Sequence, residues 1–168
     1  MTFPPWAKSL LVQSSMRLAV RTTNSVDPAR SAQMALVRGR DTKPELLVRR
    51  TLHAAGLRYR LQAKDLIGKP DLVFRSRQIA VFVHGCFWHQ HPDQNCRLAR
   101  MPKSKLDFWA PKLKGNRLRD ERVKIALEKR GWRVIEVWEC QTKPEDLSKL
   151  VEEIKTLMKS SVSVLRDT

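Results

Sequence analysis

The chain has 168 residues, enough for one domain with a substantial core, and its 42% hydrophobic and 30% charged residues are ordinary for a globular protein. Lys and Arg number 33 against 17 Asp and Glu, a formal charge of +16; such a surface attracts polyanions, with nucleic acid favoured over an acidic membrane. No apolar stretch approaches the roughly 18 residues of a membrane span, and 3 cysteines without a secretory signal argue against a disulfide framework and for a reducing cytoplasm.

Residues 1–26 show no sustained period and read as a poorly ordered extension. Asp27 as N-cap and Pro28 at the first helical position start a short helix to about residue 37. Thr42-Lys43-Pro44-Glu45 fits a capping box for a helix to about residue 55, with Gly56 beyond its end. Residues 57–61 read as a strand. Gly68-Lys69-Pro70 turns the chain into a strand at 71–74, and Arg75-Ser76-Arg77-Gln78 returns it into 79–83, a hairpin. After a basic loop at 97–104, Ser104 caps a short helix through Trp109; Pro111 separates it from a long helix, 112–130, closed by Gly131. Residues 132–138 form a further strand. A second Thr-x-x-Glu box, Thr142 to Glu145, opens a last helix whose apolar face is Leu147, Leu150, Val151, Ile154, Leu157 and Met158. The order predicts a mixed α/β sandwich with one core at 27–160 and a tail at 161–168.

The densest chemistry is His84-Gly85-Cys86-Phe87-Trp88-His89-Gln90-His91, which follows the apolar run 79–83 and holds three of the 4 histidines. Pro70-Asp71 opens the partner strand, so the hairpin brings Asp71 near Val83 and His84. A carboxylate there can hold Mg²⁺, with backbone carbonyls at the second strand's end as further oxygen ligands; otherwise Asp71 is a turn residue after proline. Residues 79–83 supply neither the second acid nor the lysine of the large Pro-Asp…(Asp/Glu)-x-Lys nuclease superfamily. Histidine, His84 or His89, is then the natural proton acceptor. Cys86, His91, Cys96 and Cys140 compose a closed zinc set if the fold gathers them, and buried, unconnected thiols if it does not. Phe87 and Trp88 suit either the core or a wedge between bases. Glu45 either closes its capping box or points into the site. Lys103, Lys105, Lys112, Lys114, Arg117, Arg119 and Arg122 form either a solvated face or, as the excess of charge favours, a set of phosphate contacts.

The segment Val83 to His91, with Gly68-Lys69-Pro70-Asp71 before it and Gly131-Trp132-Arg133-Val134 and Val137-Trp138-Glu139-Cys140 after it, resembles the very short patch repair endonuclease family. Arg30-Ser31-x-x-Met34 and Asp41-Thr42-Lys43-Pro44-Glu45 match its N-terminal motifs, and the resemblance spans about residues 27–140. It implies a restriction-endonuclease-like three-layer sandwich, a mixed sheet flanked by helices, with a structural zinc site. The implied activity is nicking of DNA 5′ of the thymine in a T:G mismatch left by deamination of 5-methylcytosine. By the same resemblance Asp71 and the Val83 carbonyl hold magnesium and His89 is catalytic, with His84 and Glu45 in support. Cys86, His91, Cys96 and Cys140 hold zinc, and Met34, Phe87 and Trp88 intercalate beside the mismatch. Two departures stand out: Val83 replaces a threonine, and residues 92–95 make the gap from His91 to Cys96 longer than expected. The implied protein is a monomer in the bacterial cytoplasm, associated with the nucleoid, with mismatched duplex DNA and other mismatch-repair proteins as partners. Competing readings are a zinc-stabilised DNA-binding module that has lost cleavage, and a nuclease of the same fold in a restriction or mobile-element system. Asp71 and His89 together speak against the pure binder, which needs neither.

Overall fold

The computed structural model describes residues 39–163. The extension at 1–26, the expected helix at 28–37 and Met34 lie outside the described residues. Helix α1 (Lys43–Ala54) is followed by strands β1 (Arg60–Leu61), β2 (Leu72–Phe74) and β3 (Ile79–His84), then α2 (Leu106–Glu128), β4 (Arg133–Trp138) and α3 (Pro144–Ser163). The sheet runs β1-β2-β3-β4, antiparallel except for the parallel β3–β4 pair. The expected hairpin is present, and α2 supplies the crossover that a parallel pair needs. Among the described residues, no helix is long and apolar enough to cross a membrane.

Strand alternation sorts the sheet's residues between two helical layers. Leu72, Phe74, Ile79, Val81, Ile135 and Val137 face Val48 and Leu52 of α1 and Leu147, Leu150, Val151 and Ile154 of α3 in one core. The opposite register, which carries His84 and Glu136, meets α2: Lys124 reaches Glu136 at 2.8 Å. Three layers result, helices–sheet–helix. Helix α1 ends as expected. Gly56 (φ +80°) lets the Leu57 and Gly56 amides return to the Leu52 and His53 carbonyls, a left-handed cap. At Gly68 (φ +76°) a Cβ would stand 2.2 Å from Val123 Cγ1, so glycine is what lets the turn before Pro70 approach α2.

Four local expectations need correction. The strand at 57–61 shrinks to Arg60–Leu61, because Leu57 is drawn into the cap of α1. Pro111 does not divide α2, and Lys105 rather than Ser104 is its N-cap. Proline removes one backbone bond in the second turn, while Trp109 before it and Leu113 after it are both buried on the same helix, so packing carries the helix past the defect. The box at Thr142 does not form: its hydroxyl donates to the Glu139 carbonyl, and α3 begins at Pro144 and continues into the segment expected as a tail. At Thr42 the box is altered, since Glu45 accepts from the Thr42 hydroxyl (2.9 Å) and the Asp41 amide (3.0 Å).

Candidate active site

The site lies where β2 begins and β3 ends. Asp71 Oδ2 accepts the Val83 amide hydrogen at 2.8 Å, which ties the carboxylate to the end of β3. Burial raises the Asp71 carboxyl above its ordinary range. The Val83 amide opposes this, the Glu45 carboxylate adds to it, and His84 and Arg49 oppose it. Burial is the larger cause, and the second carboxylate adds to it. Glu45 itself is 5% exposed and is shared by Thr42, the Asp41 amide and Arg49 Nη2 (2.9 Å), so it serves both as a cap and as part of the site's charge.

His84, also 5% exposed, ends β3 on the α2 face of the sheet. Its ring lies 4.2 Å from that of His89 and 5.1 Å from that of Trp138, centroid to centroid. His89 sits in the turn after β3, held by its amide to the Gly85 carbonyl, and its Nδ1 contacts Asp120 Oδ2 at 2.6 Å. A carboxylate on Nδ1 keeps the ring proton there in the neutral imidazole and leaves Nε2 as the acceptor. Beyond His84, Glu136 Oε1 stands 3.6 Å from Nε2, and its other oxygen takes Lys124. His84 first and Lys124 second hold the Glu136 carboxyl down at about 2.

Asp120, Glu136 and Lys124 were absent from the sequence-based candidates. Trp109, Leu113, Asn116, Asp120, Lys124 and Leu127 recur every three or four residues along α2, and this stripe faces the sheet and the His-rich turn. Its ends are apolar and its middle polar: Asn116 donates to the Trp88 carbonyl at 2.9 Å, Asp120 meets His89, and Lys124 meets Glu136. A stripe closed by buried apolar residues at both ends was the available signal.

The structure gathers Cys86, Cys96 and Cys140, whose sulfurs lie within 4.8 Å of one another with no disulfide among them. Burial, reinforced by the neighbouring Cys140 and Cys96 thiols, pushes Cys86 up to about 12. Three crowded thiols are the donor chemistry of zinc, whose charge would stabilise their thiolates. The longer gap before Cys96 does not keep it from the group. His91 is not among these mutually close atoms. Its Nε2 is buried without a hydrogen-bond partner, which fits a ligand, but its Nδ1 accepts the Asp93 amide at 3.1 Å. Ligation through Nε2 needs the proton on Nδ1, so that amide bond must yield.

Phe87 and Trp88 are half-buried; both rings pack edge-on against each other and against the buried Trp109, at 5.1 to 5.9 Å. The seven basic residues from Lys103 to Arg122 are all exposed. Arg119 and Arg122 also bond within α2, to Asn116 and to the Leu118 carbonyl.

A family model described as DNA mismatch endonuclease Vsr matches residues 23–96. The Type II nicking enzyme V.XorIIP of Xanthomonas oryzae pv. oryzae is 46% identical over 140 residues, which cover 83% of this chain and 99% of that protein. The Type II nicking enzyme V.NmeAIP of Neisseria meningitidis is 44% identical over 131 residues, 75% of this chain and 91% of the relative. The DNA mismatch endonuclease Vsr of Escherichia coli is 38% identical over 127 residues, 76% of this chain and 78% of the relative. With identities of this size over most of both chains, and a site of clustered acids and imidazoles at the end of a hairpin, this chain belongs to the Vsr family and is a DNA endonuclease.

Proposed function

We propose that this endonuclease nicks one strand of duplex DNA 5′ of the thymine in a T:G mismatch, with magnesium as catalytic cofactor and zinc as structural support. The observation that carries the reading is a chain of contacts at one end of the sheet: Asp71 is tied to the end of β3 and feels the His84 charge, the His84 ring lies 4.2 Å from that of His89, and His89 pairs with Asp120. The names of the relatives support nicking and mismatch as the substrate feature. The same names favour, as a second reading, service alongside a restriction system.

Asp71 and the Val83 carbonyl would hold the magnesium, which when bound would supply charge neutralisation at the phosphodiester and a more acidic water. His89 Nε2 takes the proton from the attacking water, while Asp120 fixes the ring and stabilises the imidazolium that forms. Glu45 adds negative charge beside Asp71. Exposed Lys and Arg residues of α2 and the loop before it hold the backbone, and the Phe87–Trp88 turn enters the stack beside the weakened pair. On an end-labelled T:G duplex the product should map to the bond 5′ of the thymine and should vanish with EDTA. Cleavage elsewhere, or undiminished without divalent metal, would refute the reading.

Two substitutions divide the labour. His89→Ala should lower the single-turnover rate by a factor on the order of 10² or more, as loss of a general base does. Asp120→Asn should lower it less and leave duplex affinity unchanged. A near-normal rate for His89→Ala removes it as the base. Trp88→Ala should reduce the preference for T:G over T:A duplexes more than it reduces non-specific affinity, since a wedge converts weak stacking into selectivity. Charge-removing changes at Lys103 or Lys114 should weaken all duplexes alike and flatten the salt dependence. A Trp88→Ala protein that unfolds, or that keeps its T:G preference, returns the ring to the core.

A further inference from the structure

We propose that Glu136, braced by Lys124, is a positioning residue that sets the orientation and tautomer of His84; its effect on cleavage rests on the mismatch-nicking reading above. Glu136 is an acid flanked on both sides by apolar residues of β4, Val134-Ile135-Glu136-Val137-Trp138. An acid there needs partners, and it has two. In the parallel β3–β4 pair Phe82 is opposite Glu136, so His84 is its diagonal neighbour on the same face. One carboxylate oxygen is held by Lys124 of α2 at 2.8 Å, and the other stands 3.6 Å from His84 Nε2. The pinned oxygen keeps the carboxylate from swinging away.

His84 is equally constrained. Its ring stacks on Phe82 (6.0 Å, 15°) and contacts Trp138 and His89 on other sides. At 5% exposure, little water competes for its nitrogens. The contact is at ion-pair rather than hydrogen-bond distance, and because an ionised carboxylate can only accept, it favours the neutral-ring tautomer with the proton on Nε2. Nδ1 is left as the acceptor on the ring's other edge. His84 thereby offers a lone pair of fixed direction beside the imidazole that Asp120 orients, and two histidine–carboxylate pairs work back to back.

Glu136→Gln alters this arrangement. The new amide's single oxygen goes to the Lys124 ammonium, which can only donate, and its NH₂ then faces His84 Nε2. The amide donates where the carboxylate accepted, and the imidazole proton must move to Nδ1. Removing the ammonium frees the oxygen to turn back towards His84. The test is nitrogen NMR of the full chain with ring-labelled histidine, with His84→Gln used to assign the His84 signals, alongside nicking kinetics. Wild type should show the proton on Nε2. Glu136→Gln should move it to Nδ1 and lower kcat about tenfold at unchanged KM, a change of roughly 1.4 kcal/mol in the barrier. Glu136→Gln with Lys124→Met should restore both, which a loss of folding would not. An unmoved proton in Glu136→Gln, or no recovery in the double variant, overturns the proposal. Should the wild-type chain nick no mismatched duplex, the mismatch-nicking reading falls and the NMR result alone decides the role of Glu136.

Discussion

Asp71→Ala should abolish nicking while leaving affinity for mismatched duplex in place. The proposed magnesium site has one carboxylate, and the phosphate contacts lie on other elements, so removing Asp71 takes away the metal without the grip. Asp71→Asn separates catalysis from stability. Burial and the nearby Glu45 raise the Asp71 carboxyl in the folded chain, so its ionised form is less favourable there than in the unfolded chain. Ionisation at neutral pH therefore works against folding, and this penalty disappears as pH falls below the ordinary carboxylate range. Neutral asparagine should raise the melting temperature of the metal-free protein at pH 7, with a smaller advantage in acid. Magnesium should stabilise wild type and not the asparagine variant. A measurable nicking rate for Asp71→Ala at saturating magnesium would exclude it as the metal carboxylate.

The second large effect is expected at the thiols. The purified protein should hold one zinc per chain, and Cys86→Ser or Cys140→Ser should lose both metal and fold. A closed structural site contributes on the order of 10 kcal/mol in zinc-finger peptides, comparable with the whole margin of about 5–15 kcal/mol that keeps a domain folded. Cys96→Ser should behave like the other two, since its sulfur lies in the same group. His91→Ala should be milder, because its ring must first surrender the Asp93 amide. Thiol titration of the native protein should find no freely reactive cysteine. A metal-free preparation with the same melting temperature would reduce the three thiols to core residues.

How much of this was legible beforehand depended on the kind of signal. The hairpin was readable because Gly68-Lys69-Pro70 and a short polar link bracket two β-prone runs, and α3 because its apolar residues keep one helical face. The proximity of Asp71 to Val83 followed from the hairpin alone. Helix α2 was misdivided because Pro111 is a strong local signal, while the burial of Trp109 and Leu113 that overrides it is tertiary. The same helix hid Asp120: within Arg117-Leu118-Arg119-Asp120-Glu121-Arg122 an acid looks like one more solvated charge. Only the crossover between β3 and β4 brings it 2.6 Å from His89. Glu136 was hidden by its apolar neighbours. Gathering Cys140 with Cys86 and Cys96 likewise required the parallel β3–β4 pairing, which no spacing in the sequence encodes.

The proposed substrate is a T:G mismatch, not DNA as such. The direct measurement is the single-turnover nicking rate of the wild-type chain, with magnesium, on three duplexes identical except for one T:G, T:A or C:G pair. The thymine strand of the T:G duplex should be nicked rapidly and the other two duplexes, at most, slowly, with the preference persisting as salt is raised. Equal rates on all three duplexes would contradict it.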